Sequence, residues 1–247
     1  MELYVLGFFV GFLVGLTGMG GGALMTPALI FLGIPPVVAV GTDLLYNSIT
    51  RFFATVFHFK RGNVNVKASV FLLSGAIPGL ALSTFLMLFV VENYGVNYLD
   101  ILLTRVLALV LIISSTATIY KTFFGKKSDE IPKNSLLILI GFVVGFLVQL
   151  TSVGSGVLVT LFLLIFTGMI SKVVVGTELL FGFVLTLLAS IIHAKIGNVD
   201  FQLASILITS SAPGVILGVY ANSKVDDRAL RLILSFVILF MGIILLR

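Results

Sequence analysis

The sequence predicts an all-α integral membrane protein, a polytopic helical bundle of about eight membrane segments built from two sequence repeats with interrupted helices. Of its 247 residues, 59% are hydrophobic and only 10% are charged, and the mean hydropathy is +1.24. A soluble domain has about 25% charged residues. In addition, two uncharged runs are too long for one membrane crossing, and a long block of sequence occurs twice. These observations exclude an ordinary soluble enzyme, a disordered chain and a DNA-binding domain.

The two long runs, 3–42 and 134–171, contain no Asp, Glu, Lys or Arg. As a single straight helix, the first would extend about 60 Å, whereas the hydrocarbon core of a bilayer is about 30 Å thick. We therefore expect each run to be interrupted, at the Gly-rich stretch 18–22 and at the Ser- and Gly-rich stretch 151–156. The other apolar runs are 37–58, 68–91, 101–120, 173–194, 201–222 and 229–246.

The basic residues indicate orientation in the membrane. The chain has 15 Lys and Arg against 10 Asp and Glu, a formal net charge of +5, and the basic residues lie in short loops. Such residues mark the cytoplasmic side of a membrane, so we interpret them as a topology signal and not as a nucleic-acid site. With an even number of crossings in each half, nine would lie on the N-terminal side and five on the other. This predicts a multi-pass protein of the cytoplasmic (inner) membrane with both termini in the cytoplasm.

An internal repeat is visible in two long blocks. GFLVGLTGMGGG at 11–22 matches GFLVQLTSVGSG at 145–156. VGTDLLYNSITRFFATVFHFKRGNVN at 40–65 matches VGTELLFGFVLTLLASIIHAKIGNVD at 175–200. Repeats of this kind are a feature of many transporters.

The repeat divides the chain into two halves. We expect a first repeat at 1–124 with the first four membrane segments, a cytoplasmic linker at 125–133, and a second repeat at 134–247 with the other four. Four crossings in each half would make the repeats parallel. A broken segment that returns to its own side would make them inverted. The sequence leaves both arrangements open, although the charge bias favours four crossings.

The two breaks form the candidate substrate site. Interrupted helices at matching positions of duplicated halves indicate a transporter site at the repeat interface, and the free N–H groups that begin a half-helix favour an anion. The ordinary alternative is that small residues let membrane helices pack closely. We favour the site because the two breaks match. The candidate substrate-binding residues are Thr17, Gly18, Gly20, Gly21, Gly22, Arg51, Thr151, Ser152, Gly154 and Ser155.

Three charged residues lie well inside the expected spans, away from their ends. Asp43 and Glu178 occupy matching positions, and each costs roughly 2.5–3.5 kcal/mol to place in a bilayer. They would either couple transport to a proton or ion, or stabilise the start of a helix. Arg51 lies on one helix stripe with Asp43 and Asn47. It would bind an oxyanion through its guanidinium, or form a structural ion pair with Asp43.

The two histidines, His58 and His193, also match, and each begins a His-x-Lys-x-Gly-Asn stretch. A Gly after the last turn is a common helix C-cap, so a helix end is favoured over a basic vestibule or a proton site. We retain both histidines, with Asp43, Asn47 and Glu178, as candidate coupling or gating residues. With 2 His and no Cys, the sequence predicts no metal site and no other cofactor.

These motifs resemble those of the sulfite exporter TauE/SafE family of membrane anion transporters. The resemblance rests on GFLVGLTGMGGGALMTPAL, AVGTDLLYNSITRFFATVFHFKRGNVN, and the second-half stretches VVGTELLFG, HAKIGNVD and APGVILG. It covers essentially the whole chain. In the second half, Ser152 and Ser155 replace the glycines at positions 18 and 21. The resemblance implies export of sulfite and small organosulfonates.

We therefore expect a secondary transporter, not an enzyme, that exports small anions such as sulfite or organosulfonates. The expected partners are a small anionic substrate and the lipid bilayer, with no nucleic acid, and a homodimer is one expected oligomeric state. The alternative is a cation or proton exchanger that uses Asp43 and Glu178. A membrane enzyme is a weaker alternative, because the sequence shows neither a nucleophile–base pair nor a metal cluster.

Overall fold

The structure, a computed structural model, describes residues 1–17, 21–124, 134–222 and 227–246. Within these ranges the secondary structure is helical and contains no strand. The helices are α1 (Glu2–Thr17), α2 (Gly22–Phe31), α3 (Pro36–Lys60), α4 (Val66–Tyr94), α5 (Val96–Phe124), α6 (Asn134–Thr151), α7 (Val157–Phe166), α8 (Ser171–Ile196), α9 (Phe201–Asn222) and α10 (Asp227–Leu245).

Several of these helices are long and apolar enough to cross a membrane. In the described part of the chain there are five, namely α4, α5, α6, α8 and α9. The helix α3 has 25 residues, but Asp43 and Arg51 lower its hydropathy. The apolar parts of α1, α2, α7 and α10 are shorter. An all-helical membrane protein with several spans is therefore confirmed, and the number of eight segments stays a prediction.

Both long uncharged runs are interrupted. The first divides into α1 and α2, and the second into α6 and α7. At the second break the backbone leaves the helical path, with a φ of 60° at Ser152 and 123° at Gly154. A left-handed conformation is costly for a residue with a Cβ. The turn is supported by Thr151 Oγ1, which accepts a hydrogen bond from Val153 N at 3.2 Å.

Two pairs of helices run parallel at close range, α1 beside α9 and α4 beside α6. Along each pair the contacting residue numbers rise together, which establishes the parallel direction. A Cβ on any of the contacting glycines would come within 3.0 Å of the partner's backbone, closer than real Cβ atoms approach. Small residues thus permit the contact. The contacts are Gly11 with Ser211, Gly15 with Val215, Gly141 with Leu72, and Gly145 with Ala76.

The helices α3 and α8 run antiparallel and cross near the centre of the bundle. Gly41, near the start of α3, lies against the backbone of Asn198, just beyond the end of α8. Gly176, near the start of α8, lies against the backbone of Asn63, just beyond the end of α3. At each end of the α3–α8 crossing, a glycine of one half therefore packs against a loop of the other half.

Two reciprocal hydrogen bonds reinforce these crossing ends. Asp200 N donates to Thr42 Oγ1 at 3.0 Å, and Asn65 N donates to Thr177 Oγ1 at 2.9 Å. Thr42 and Thr177 stand at matching positions of the two similar sequence blocks, as do Asn65 and Asp200. Each half thus provides the hydroxyl that satisfies the other half's loop.

The course of the second half follows from contacts along α8. The helices α4 and α8 begin together at Asn65 and Thr177. Further along, Gln149 of α6 bonds both Thr84 of α4 and His193 of α8. The helices α4, α6 and α8 therefore share one direction. Because α6 and α8 run the same way, α7 between them runs back toward the side from which α6 starts.

The first half follows the same course in the opposite direction. The helix α9 contacts α3 first at Thr42, through Asp200, and then at Tyr46, beside Ser211, so it runs parallel to α3. Because α1 is parallel to α9, it also shares the direction of α3, and α2 runs back between them. Each interrupted segment is therefore a hairpin that returns to its own side.

Candidate functional site

The two hairpins meet in the centre of the bundle, next to α3. A Cβ on Gly22, at the start of α2, would lie 2.6 Å from the carbonyl oxygen of Ser152. Beside this contact is a small, partly open cavity. Five candidate residues from the sequence lie on its wall, together with four that the sequence analysis did not select. The lining residues are Gly22, Ala23, Arg51, Ser152, Val153, Gly154, Ser155, Gly156 and Val157.

The start of α7 gives this cavity a positive electrostatic character. The helix begins at Val157, and the positive end of its dipole lies at the cavity wall. The N–H groups of the first turn are satisfied within the chain, because Leu158 N and Val159 N donate to Gly154 O and Thr160 N donates to Gly156 O. Ser155 is 2% exposed and adds a hydroxyl group to the wall. The second break therefore offers a helix dipole and a hydroxyl donor, both of which favour an anion.

Arg51 provides the positive charge at the cavity. Its guanidinium forms an ion pair with Glu178 of α8, in the other half of the chain. The ion pair with Asp43, which the shared helix stripe suggested, is therefore wrong. A Cβ on Gly182 would clash with the guanidinium, so the glycine makes room for it. Among the described residues, Arg51 Nε has no hydrogen-bond partner although it is buried.

Asp43 is fully buried and is held by neutral groups from three parts of the chain. Its Oδ2 accepts from Thr26 Oγ1 of α2 at 2.6 Å and from Ser152 Oγ at 2.8 Å. Its Oδ1 accepts from Asn47 Nδ2 at 2.9 Å. Asp43 therefore links α2, α3 and the second break at one point.

Ser152 joins this carboxyl cluster to the cavity. Its hydroxyl contacts Asp43, and the residue also lies on the cavity wall. Gly22 lines the cavity from the first half and lies near the same carboxyl, since an added Cβ would be 3.4 Å from Asp43 Oδ2. Asp43 thus lies directly behind the wall of the cavity.

Several of the other predicted site residues have roles away from the cavity. Thr151 Oγ1 donates to Leu147 O at 2.7 Å and so completes the end of α6. Gly21 precedes α2 and faces the ring of Tyr46. Thr17 ends α1, and Gly18 and Gly20 lie outside the described residues.

The histidines lie near the crossing ends of α3 and α8. His193 is fully buried, and its Nε2 is 3.0 Å from Gln149 O. His58 is part of the last turn of α3 and is partly exposed. Each histidine lies against the glycine that precedes the matching Thr of the other half, Gly41 or Gly176. These positions agree with the helix-end interpretation.

Two residues near the site, Thr26 and Gly182, were not selected from the sequence. Thr26 is a threonine within α2 that belongs to no motif, and nothing in a single sequence links it to Asp43. Gly182 matches Asn47 of the first half in the repeat, so the loss of a side chain at that position was visible. The sequence did not reveal that α3 and α8 cross antiparallel, which is what brings Arg51 next to Gly182.

A polytopic helical bundle with buried charges where two broken helices meet defines a membrane transporter. The chain belongs to the sulfite exporter TauE/SafE family, whose family model matches residues 3–245. The family predicted from the motifs is therefore confirmed. No solved structure matches the chain significantly.

The chain is also similar to proteins named as transporters. Probable membrane transporter protein YjnA of Bacillus subtilis (strain 168) is 38% identical over 252 residues, which cover 98% of each chain. A probable membrane transporter protein of Methanocaldococcus jannaschii is 30% identical over 259 residues, 99% of this chain and 94% of the other. Probable membrane transporter protein YunE of Bacillus subtilis is 28% identical over 258 residues, 97% and 94% of the two chains. These names state a membrane transporter and give no substrate.

Proposed function

We propose that the protein is a secondary transporter that moves small anions, such as sulfite or an organosulfonate, out of the cell across the cytoplasmic membrane. The observation that supports this most is the cavity at the second break, where Arg51, with its unpartnered Nε, and the start of α7 lie on one wall. An oxyanion there would accept hydrogen bonds from the guanidinium and from the hydroxyl of Ser155, and it would lie at the positive end of the α7 dipole. An inside-negative potential favours anion exit by about 2.3 kcal/mol per charge per 100 mV.

We further propose that the two halves are inverted repeats. The antiparallel crossing of α3 and α8, the reciprocal bonds at Thr42 and Thr177, and the parallel pairs α1 with α9 and α4 with α6 support this arrangement. Each half would then cross the membrane an odd number of times, because its broken segment returns. Alternating access would arise when one half moves against the other around the central cavity.

This path changes the expected orientation of the chain. The ends of α3, α5, α7 and α9 lie on the side opposite the N-terminus, and seven Lys and Arg of the described residues accompany these ends. Two accompany the N-terminal side, namely Arg105 and Lys195. We propose that the basic side is cytoplasmic, so that both termini are external. The expected linker 125–133 lies outside the described residues. The seven are Lys60, Arg61, Lys67, Lys121, Lys172, Arg228 and Arg231.

A cation exchanger is the second candidate. Asp43, with oxygens of Thr26 and Ser152 at 2.6 and 2.8 Å, is a cluster of the oxygen type that hard cations prefer. In that case Asp43→Asn would abolish cation flux, and Arg51→Ala would affect it less.

Flux in proteoliposomes tests the proposal. Purified protein would be reconstituted, and uptake of sulfite, a small organosulfonate, chloride and sodium compared under an imposed potential. We expect saturable anion flux that falls strongly in Arg51→Ala. The control is Lys67→Ala, which also removes one basic side chain but an exposed one, and which should retain the flux. Sodium flux with no anion flux would overturn the proposal in favour of the exchanger.

A further inference from the structure

We propose that Asp43 carries a proton that moves together with the anion, and that Glu178 has no part in this coupling. The inference rests on the proposed function and adds the coupled ion to it. A monoanion that leaves with one proton carries no net charge, so its exit is driven by its own outward concentration gradient and not by the membrane potential. It starts from the different surroundings of two acids at matching positions of the repeat. In the described part of the chain, Glu178 forms an ion pair with Arg51, whereas the hydrogen-bond partners of Asp43 are all neutral and Arg51 acts on it only through space.

The chemistry of the partners determines which acid can hold a proton. A protonated carboxyl needs a hydrogen-bond acceptor, and a guanidinium has donors only. Protonation of Glu178 would also leave the charge of Arg51 buried without a counter-ion. The Arg51–Glu178 pair is therefore fixed in its ionised form.

The surroundings of Asp43 can serve both protonation states. The hydroxyls of Thr26 and Ser152 donate to the carboxylate in the structure, and a hydroxyl can rotate and accept instead. Asn47 offers a second acceptor, because its Oδ1 is buried and without a partner among the described residues, while its Nδ2 donates to Asp43. Rotation of this amide would present the oxygen to a protonated Asp43. Asn47 is only 1% exposed, so water does not readily satisfy that oxygen.

The position of Asp43 links its proton to the anion. Gly22 and Ser152 each contact the carboxyl cluster and line the cavity, so an anion in the cavity would be separated from Asp43 by a single residue. Two negative charges at this distance in a low-dielectric interior repel strongly. Anion binding therefore favours a neutral Asp43, and by linkage a neutral Asp43 favours anion binding to the same degree.

The other charged and titratable groups around α3 have partners or positions of their own. Arg51 is paired with Glu178, and His193 contacts Gln149 O. Asp100 of α5 accepts from Val37 N at 2.9 Å, and Asp200 of α9 accepts from Leu203 N at 2.9 Å. Tyr46 lies beside Ser211. The segments α2 and α6 contribute no charged side chain.

Proton movement that accompanies anion flux tests the inference. The probe is methanesulfonate, because a sulfonate does not itself take up protons near neutral pH, with a pH-sensitive dye inside the vesicles. We expect the wild-type protein to move protons with the anion, in the same direction. In Asp43→Asn this proton movement should fall to the level of empty vesicles, and in Asp100→Asn it should be unchanged. Methanesulfonate flux without protons in the wild-type protein would overturn the inference and leave the proposed function intact, whereas absence of flux for every anion would overturn the proposed function.

A second variant keeps the test independent of whether Asp43→Asn folds and of which anion is carried. Thr26→Val removes one donor to the charged carboxyl, so the proton should be retained to higher pH. We expect the pH of half-maximal flux, measured with methanesulfonate or with sulfite, to rise by about one unit. Thr118→Val, which removes a buried hydroxyl bonded within its own helix, is the control and should not shift it. An unchanged midpoint in Thr26→Val would overturn the inference.

Discussion

The guanidinium of Arg51 and the carboxylate of Glu178 form an ion pair that joins α3 to α8 near the centre of the bundle. Their side chains are only 5% and 3% exposed. A buried pair of this kind is costly to break on one side, because the remaining charge has no partner. The pair thus connects the two halves and also places a cation at the candidate anion site.

Loss of one partner is expected to be worse than loss of both. Glu178→Gln and Arg51→Met should each lower the free energy of unfolding by about 3–5 kcal/mol, whereas the double variant should recover much of that loss. Thermal unfolding in detergent would measure this. The double variant should still fail to transport the anion. Additive losses in the double variant would show that the two side chains do not form a coupled pair.

The space beside Gly182 should control both transport and stability. A Cβ at this position would clash with the guanidinium of Arg51 and lie 3.2 Å from Glu178 Oε1, so the buried ion pair would have to rearrange. Gly182→Ala should therefore lower the melting temperature and weaken anion transport, seen as a higher KM. A normal KM in Gly182→Ala would show that the exact place of the guanidinium does not matter for binding.

The two crossing glycines should be equally intolerant of a side chain. A Cβ on Gly41 or Gly176 would come within 3.0 Å of the backbone of the opposite loop, so α3 and α8 would have to separate. We expect Gly41→Ala and Gly176→Ala each to cost about 1–3 kcal/mol, measured by unfolding in detergent. Gly21→Ala is the control, because its nearest contact is a side-chain atom at 3.1 Å. Unequal losses would count against a symmetric crossing.

The proposed orientation can be read directly with single cysteines. The chain has no Cys, so each introduced residue gives the only signal. In intact cells, a membrane-impermeant maleimide should label Cys introduced at Glu92 or Lys195, which are exposed on the N-terminal side, and should not label Cys introduced at Lys67. Broken cells, in which all three should react, serve as the control. The reverse pattern would place both termini in the cytoplasm.

Composition and periodicity were sufficient for the broad fold. The length of the uncharged runs required a break in each, and the structure has a break in both, with α1 ending at Thr17 and α7 beginning at Val157. The same breaks provide four of the residues that line the cavity, Gly22, Ser152, Gly154 and Ser155. The breaks depend on nearby sequence, and so they can be read from it.

The pairing of charges depends on distant sequence and could not be predicted. The spacing of Asp43, Asn47 and Arg51 placed all three on one stripe, which made Asp43 the obvious partner for Arg51. The structure pairs Arg51 with Glu178 instead, because α3 and α8 cross antiparallel and Gly182 leaves an opening. The number of Lys and Arg on each side of the membrane also depends on helix direction. A segment that returns to its own side and one that crosses the membrane can have the same composition, so the sequence alone does not distinguish them.

The two halves place different side chains around the central cavity. The first has Arg51, Asn47 and Asp43 on or behind its wall, where the second has Thr186, Gly182 and Glu178 at the matching positions. If the halves exchange conformations during transport as proposed, the inward-open and outward-open forms are not mirror images, and their free energies differ. The affinities on the two faces of the membrane must then differ as well. Transport would be faster in one direction at equal concentrations only while an ion gradient or a potential drives it, since detailed balance forbids a built-in preference.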